Sequence, residues 1–539
     1  MARWSAVGIL GSAQFVMVLD STVMNVSISA IVVDLRTTVG AMQSTITFYT
    51  LTMAAVMLLG AKLGDVWGRR RAFVIGAVVY GLGSLITGLS PNITVLFIGW
   101  AVIEGLGAVL VIPAIAALVA ENYTGRDRVT AFAVLGAVSG AAVAAGPLIG
   151  GLVTTYSSWR FVFFGESVVI VLVLLVTRFV ADRSRPVRIR IDVLSALLSA
   201  AGLVLIVVGM LQSKTWGWIL PILPPTIGGV PITPLGLSPV PYVMAAGVVL
   251  LWWFLHRQKE LVLAGRTPLL QVSMLSIPRL QSGLSVLSAQ YAITAGLFFM
   301  VPIYLQMTLG LNALQTGIKI FPLSIALILF SVFGTWLSRR WSAKRIVRIG
   351  QLILVASSLF LLASVSVDLK GVAFGVGMFF AGAALGLLAS QLGNVNMTSV
   401  PEQQSSEVGG LQGVMQNLGS SLGTALIGSI LIASLGSVFL GSVNSSMLPE
   451  SVQATVVQET NSGIAIIPAT SVEAIAERVG LSPSDATELT NLYQRAQVSA
   501  LRVSFASLAM ISGIALLLSR NIPGTAPTQE RKRMKRPTR

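Results

Sequence analysis

Apolar residues along this chain gather into fourteen runs, each near the length of one bilayer crossing and separated from the next by a short polar or basic break. At ~1.5 Å per residue a helix needs about 20 residues to cross a ~30 Å hydrocarbon core. On that ruler the runs centre near residues 19, 55, 81, 107, 141, 171, 202, 249, 294, 327, 356, 384, 424 and 508 and predict fourteen membrane helices. An even number of crossings puts both ends of the chain on one face. Most of the 36 Lys and Arg residues then fall on that face, in the loops after spans 2, 4, 6, 8 and 10 and at the chain ends. These include the run from Arg183 to Arg190, while Lys214 and Lys370 fall opposite. The positive-inside rule makes the basic face cytoplasmic.

Two loops on the opposite face break the rhythm. Seven prolines between Lys214 and Pro241 predict an irregular or hairpin cap, anchored at the interface by Trp216 and Trp218. A polar insert over 442–495 separates the last two spans, and Ser482-Pro483 within it reads as the cap and first residue of a helix that runs into span 14. The basic stretch from Arg531 to Arg539 reads as a tail drawn to anionic headgroups.

Composition narrows the function classes. The 539 residues are 54% hydrophobic and 10% charged, with a mean hydropathy of +0.84, which no soluble domain of this length sustains. The formal charge of +16 is spread over short clusters between apolar runs, so it signals topology and not nucleic-acid binding. With no cysteine and His256 as the single histidine, disulfides, thiolate metal sites and histidine-based centres are not expected. The first residues lead directly into an apolar run without a small-residue cleavage site, which reads as a retained span.

The most informative break is Gly60-Ala-Lys-Leu-Gly-Asp-Val-Trp-Gly-Arg-Arg-Arg71. Gly60, Gly64 and Gly68 recur every four residues, so a second helix can come close there. Asp65 is the one acid in the stretch, and Arg69, Arg70 and Arg71 suit the headgroup region. A related stretch, Gly334 to Arg345, aligns without gaps at an offset of 334 − 60, or 274 residues, with Leu337 matching Leu63 but Arg339 in place of Asp65 and Ser342 in place of Gly68. A repeat eight spans apart implies six-helix halves with two helices inserted between them.

The Gly60 stretch resembles the G-x-L-x-D-x-x-G-R-x loop of the major facilitator superfamily. Within it, Leu19-Asp20-Ser-Thr22-Val-Met-Asn25 resembles the span 1 signature of the fourteen-span drug:proton antiporters, although Ala30 stands where the proline usually lies. In span 5, Gly146-Pro147-Leu-Ile-Gly150-Gly151 resembles the antiporter motif that marks exporters. Two departures stand out. The span 4 pattern R-x-x-Q-G-x-G is replaced by Ala101 and Glu104, so the family's coupling arginine is missing. In span 6, after a Trp159-Arg160 start similar to the family's WRWxF, Gly165-Glu166-Ser167-Val168 replaces INVP.

Three acids therefore stand in membrane spans: Asp20, Glu104 and Glu166. A charge there costs several kcal/mol unless protonated, paired or hydrated, so each is a candidate proton-coupling group. The plainer alternatives are a local hydrogen bond for Asp20 and a pair with Arg160 or Lys319 for Glu166. Neutral polar residues in apolar helices, namely Asn25, Gln290, Tyr291, Tyr304, Gln306, Asn394 and Gln416, are candidate cavity residues, with helix-to-helix hydrogen bonding as the alternative for any one of them.

Taken together, the expectation is an all-α membrane protein of the major facilitator fold: a six-helix bundle over 1–181, two linker helices over 182–279, a second bundle over 280–519 and a tail over 520–539. The resemblance implies a proton-coupled exporter of small amphipathic compounds in a bacterial cytoplasmic membrane, working by alternating access as a monomer without a cofactor. A lipid or lysolipid cargo on the same fold is the alternative, and a membrane sensor or enzyme a remote one. In the outward-facing state Asp65 is expected to hold the inner gate shut from near the start of span 13, around Pro401 to Glu407, where a helix N-terminus favours a negative charge by about 0.3–1 kcal/mol.

Overall fold

In the computed structural model, which describes residues 4–182, 191–367, 369, 372–401, 405–446, 448–460, 466–478 and 481–524, fourteen helices are long and apolar enough to cross a membrane. The basic run over 183–190, Lys370 and the 531–539 tail lie outside the described residues. The first six crossings are α1 (Ser5–Asp34), α2 (Val39–Trp67), α3 (Arg69–Gly88), α4 (Ile93–Asn122), α5 (Gly125–Tyr156) and α6 (Arg160–Val176). Two more, α7 (Val193–Trp216) and α8 (Val240–Leu263), precede α9 (Pro278–Thr308), α10 (Ala313–Leu337), α11 (Ala343–Ser364), α12 (Ala373–Met397) and α13 (Ser405–Asn444). The short helices α14 (Glu450–Thr460) and α15 (Ala469–Arg478) lie in the insert before α16 (Pro483–Leu518), the last crossing.

Local chemistry sets several boundaries. Thr38 caps α2, Ser342 caps α11, and Asn312 with Gln315 forms a capping box on α10, each satisfying amide groups that a helix start leaves unpaired. Ser482 accepts from the Asp485 amide, so the insert's last helix and span 14 are one continuous helix of 36 residues. The proline-rich loop forms a two-stranded hairpin, Thr226–Ile227 against Val230–Pro231, turned by Gly228 and Gly229 at positive φ. Gly68 does not extend a bare helical face as its spacing suggests. It sits between α2 and α3 with φ 92, a conformation that glycine adopts at no steric cost.

Packing repeats between the first six crossings and the last six. Helix α1 packs on α5, α2 on α4, and α3 on α4 and α6; correspondingly α9 packs on α13, α10 on α12, and α11 on α12 and α16. Helices α2 with α13 and α5 with α10 join the two sets, and α7 and α8 pack on each other, with α7 reaching α2 and α13.

With fourteen crossings both described ends lie on one face, and the two faces differ. Away from the ends, Gln306 Nε2 donates to Val26 O at 2.8 Å, Gln43 Nε2 to Thr424 O and Ala425 O at 3.2 and 3.0 Å, and the Leu314 amide to Thr155 Oγ1 at 3.1 Å. A Cβ on Gly151 would lie 2.6 Å from Ala313 O, and one on Gly317 would collide with Pro147 O. Small residues thus bring α5 and α10 into backbone contact. At the face carrying the ends, the ion pair that joins the sets among the described residues is Lys62–Glu407, at 3.9 Å.

The two inserted helices are tied by charge. Asp192 caps α7 through the Ser195 amide and receives Arg257 Nε at 2.7 Å and Nη2 at 2.8 Å from α8. The Arg257 hydrogen bonds hold its carboxyl well below the usual carboxylate range. Because the folded value is depressed, the stabilisation is present above the unfolded value of about 3.9 and is lost as pH falls through the folded one. Asp192→Asn keeps a good cap and removes the charge. It should therefore lower the unfolding temperature of purified protein at neutral pH, and the gap to wild type should narrow as pH drops below about 4.

Candidate functional site

The three membrane acids come from α1, α4 and α6, separated by 84 and 62 residues in sequence (104 − 20 and 166 − 104), yet the fold brings them to one point. One oxygen from each of Asp20, Glu104 and Glu166 lies within 4.8 Å of the others. All three side chains are buried, at 0%, 0% and 3% exposure.

Close helix crossings make this possible. A Cβ on Gly83 of α3 would lie 2.5 Å from the Glu104 amide nitrogen, and one on Gly107 of α4 would collide with the Tyr80 amide. These glycines let α3 and α4 touch along their backbones, which delivers Tyr80 and Glu104 to the same layer. Helix α4 is wound as a π-helix over Phe97–Glu104, a wider turn often found where a side chain must be re-aimed at a functional site.

The partners are uneven. Trp100 Nε1 donates to both oxygens of Asp20, at 3.0 and 2.9 Å, and its ring stacks on Tyr49 of α2 with centroids 4.4 Å apart. Ser84 Oγ donates to Glu166 Oε2 at 2.9 Å. The Glu104 carboxyl faces the Tyr80 hydroxyl and the Asp20 carboxyl, neither of them within 3.5 Å of a Glu104 oxygen, and Glu166 Oε1 likewise makes no bond that short among the described residues. The expected alternative of a Glu166–Arg160 pair is not what forms: Arg160 Nη2 reaches Asp34 at 2.8 Å and its Nη1 bonds Gly88 O and Ser90 O. Sequence reasoning missed Trp100, Tyr49, Tyr80 and Ser84, because aromatic and hydroxyl residues on apolar helices look like ordinary core until their neighbours are known.

The Gly60 stretch organises the face that carries the chain ends. Gly60 packs on the Val109 backbone of α4, and Gly64 faces Ala72. Asp65 meets Arg69 at 3.8 Å, Arg69 reaches Glu121 at 3.0 Å, and the Arg70 amide donates to Asp182. At the start of α13, where Asp65 is expected in the outward-facing state, Lys62 meets Glu407 here, while 402–404 lie outside the described residues. In α5, Gly146 and Gly150 pack on Thr22 and Val23 of α1, Gly151 packs on α10, and Pro147 O faces Gly317.

The candidate cavity residues are dispersed. Gln306 bonds across to α1, Tyr304 donates to Ser366 O at 2.6 Å, Gln290 Nε2 donates to Leu385 O and Asn25 Nδ2 to Ser21 O. Tyr291 and Gln416 are half-buried, and Asn394 is exposed.

Fourteen crossings built on repeated helix pairings, with an acid cluster in the membrane interior, define a secondary-transporter architecture. Residues 10–424 match the family model of the Major Facilitator Superfamily, and the chain belongs to that family. It is a multi-pass membrane transporter, not an enzyme. Similar proteins include the probable actinorhodin transporter of Streptomyces coelicolor, 27% identical over 82% of this chain and 75% of the relative. The puromycin resistance protein pur8 of Streptomyces alboniger is 28% identical over 79% and 82%, and the multidrug resistance protein Stp of Mycobacterium tuberculosis 25% over 78% and 75%. These relatives and the fourteen spans fit the fourteen-span drug:proton antiporter family. The fold also matches the crystal structure of a bacterial homolog of the human lysosomal transporter Spinster, with TM-score 0.62 and 15% identity, covering 96% of this chain and 97% of that one.

Removing the indole donor leaves a buried carboxyl with fewer partners. Trp100→Phe keeps the ring stack on Tyr49 but should destabilise the purified protein by about 1–3 kcal/mol, the cost of orphaning a buried polar group; thermal unfolding against wild type measures it.

Proposed function

We propose that this protein exports small amphipathic compounds, driven by protons that bind and leave the Asp20–Glu104–Glu166 cluster. The observation that carries the reading is the cluster itself: three buried carboxyls with one oxygen of each within 4.8 Å of the others, of which Glu104 faces only the Asp20 carboxyl and neutral Tyr80. Three ionised groups cannot coexist so closely in a dry interior, so the cluster holds protons when closed to water and loses them when hydrated. The family's missing span 4 arginine fits this arrangement, since a fixed cation would hold the acids ionised.

Export is supported by relatives named for antibiotic transport, resistance and multidrug resistance. The basic loops put the chain ends in the cytoplasm, so the face joined there by the Lys62–Glu407 contact is the inner one, and the closely packed face is the outer one. On this reading the described conformation is the one from which cargo enters from the inside. Rocking the two bundles must break the Gln306 and Gln43 contacts and form new ones around the Gly60 stretch. Proton occupancy can bias that exchange only if the cluster is differently hydrated in the two states.

Transport in proteoliposomes under an imposed pH gradient tests this. Wild-type protein should accumulate a lipophilic cationic dye when the gradient is applied, Glu104→Gln and Asp20→Asn should lose at least about tenfold of that rate, and Lys62→Ala should reduce it less. Full gradient-driven accumulation by Glu104→Gln would remove the acid cluster from the mechanism.

A further inference from the structure

The loop between the two inserted helices carries an apolar surface that the rest of the chain leaves uncovered. From Thr215 to Leu255, a run of 255 − 215 + 1 = 41 residues, there is no Asp, Glu, Lys, Arg or His. Within it Ile219, Leu220, Ile222, Ile227, Val230 and Leu235 are all exposed, Leu235 by 91%. Large apolar side chains gathered at a surface in this way mark a site of interaction.

The backbone of the loop suits an apolar medium. Six residues from Gly217 to Pro239 are prolines, which have no amide hydrogen to leave unpaired. The Ile222 and Leu223 amides donate to Trp216 O and Thr215 O at 3.0 Å each, and those of Ile232 and Ser238 to Pro225 O and Ile219 O at 2.8 Å each. The two strands pair with each other, and Tyr242 Oη closes the loop by donating to Pro234 O at 3.0 Å. Backbone that satisfies itself is the condition for entering hydrocarbon. Leu235 is an independent sign: it is held at φ 53, a region that bulky side chains rarely adopt. The fold thus keeps a strained leucine at the most exposed point of the loop, and such strain gathers where function requires it.

The position of the loop says what covers it. It leaves α7 and enters α8, so it lies at the bilayer surface on the face away from the chain ends, with Trp216 and Trp218 at its root suited to the headgroup level. Both helices expose apolar sides of their own, through Leu197 of α7 and Val248, Val249 and Trp252 of α8, and the bare loop extends that lipid-facing surface. We propose that the 217–239 hairpin is a lipid-docking foot whose apolar side chains insert among the acyl chains of the leaflet away from the chain ends. Lys214, at its root, donates to Gln43 Oε1 at 3.0 Å, so the foot is fixed to the side chain that joins α2 to α13. The inference is independent of the proton reading.

The chain has no cysteine, so a single introduced one can carry a fluorophore on the full-length protein in lipid nanodiscs, where both faces are open to reagents. Ile227→Cys and Leu235→Cys report on the foot. Val248→Cys on α8 is the lipid-facing reference, and Ser484→Cys, at the far end of the 36-residue α16, the water-facing one. All four side chains are exposed, so each variant should unfold at the wild-type temperature. Lipids carrying a nitroxide on the acyl chain should quench both foot labels as they quench the Val248→Cys label, and iodide should quench them at least about threefold less than the Ser484→Cys label. Iodide quenching equal to that at Ser484→Cys overturns the inference. Shielding of the foot labels from both quenchers overturns it too, since protein, a second copy included, then covers the hairpin.

Discussion

A carboxyl group in the membrane interior has few ways to be stable: it can keep its proton, find a partner or find water, and each option constrains the helices around it. Here three such groups meet, and much of the first bundle is arranged to hold them together. The π-helical turn of α4 carries both Trp100 and Glu104, Gly83 and Gly107 bring α3 close enough to present Tyr80 and Ser84, and Tyr49 of α2 supports the indole that holds Asp20. A charged cation beside them would relieve the conflict permanently. Ala101, fully buried at the position where the family carries arginine, provides none.

The two faces of the protein respond to different physics. At the face away from the chain ends, glycines and backbone carbonyls make a dry, close-packed seam between α5 and α10, reinforced by the Gln306 and Gln43 amides. At the other face the bundles meet through the longer Lys62–Glu407 pair and through Met57 and Leu58 of α2 beside Gly413 and Gly410 of α13, while Arg69 and Arg70 tie α3 to Glu121 and Asp182 within the first bundle. A part-exposed ion pair of this length is worth about 0–1 kcal/mol, far easier to break than a glycine seam. The glycine seam therefore does more than this ion pair to hold the two bundles together.

Much of this was legible in the chain. Helix number and length followed from apolar runs against bilayer thickness, the hairpin from clustered prolines, and the last long helix from Ser482-Pro483. Each of the three acids stood out singly, because a charge in an apolar run is conspicuous. Their meeting was not legible: residues 20, 104 and 166 share no local pattern, and only the crossings of α1, α3, α4 and α6 define their distances. For the same reason Arg160 was a plausible partner for Glu166 until the fold placed it on Asp34. Gly68 was read by its spacing with Gly60 and Gly64, whereas its positive φ is a property that no spacing reveals. Long polar side chains were the least readable, since Gln306, Gln290 and Asn25 spend their donors on backbone carbonyls that a sequence does not place.

The central claim is that cargo and protons move in opposite directions through one machine whose proton carriers are the clustered acids. The most direct measurement records lumenal pH and dye content together in sealed proteoliposomes while a dye gradient, and no pH gradient, is imposed. The account predicts a proton flux opposite to the dye in wild type that disappears in Glu104→Gln. Dye movement without proton counterflow, or a counterflow that survives that substitution, would contradict it.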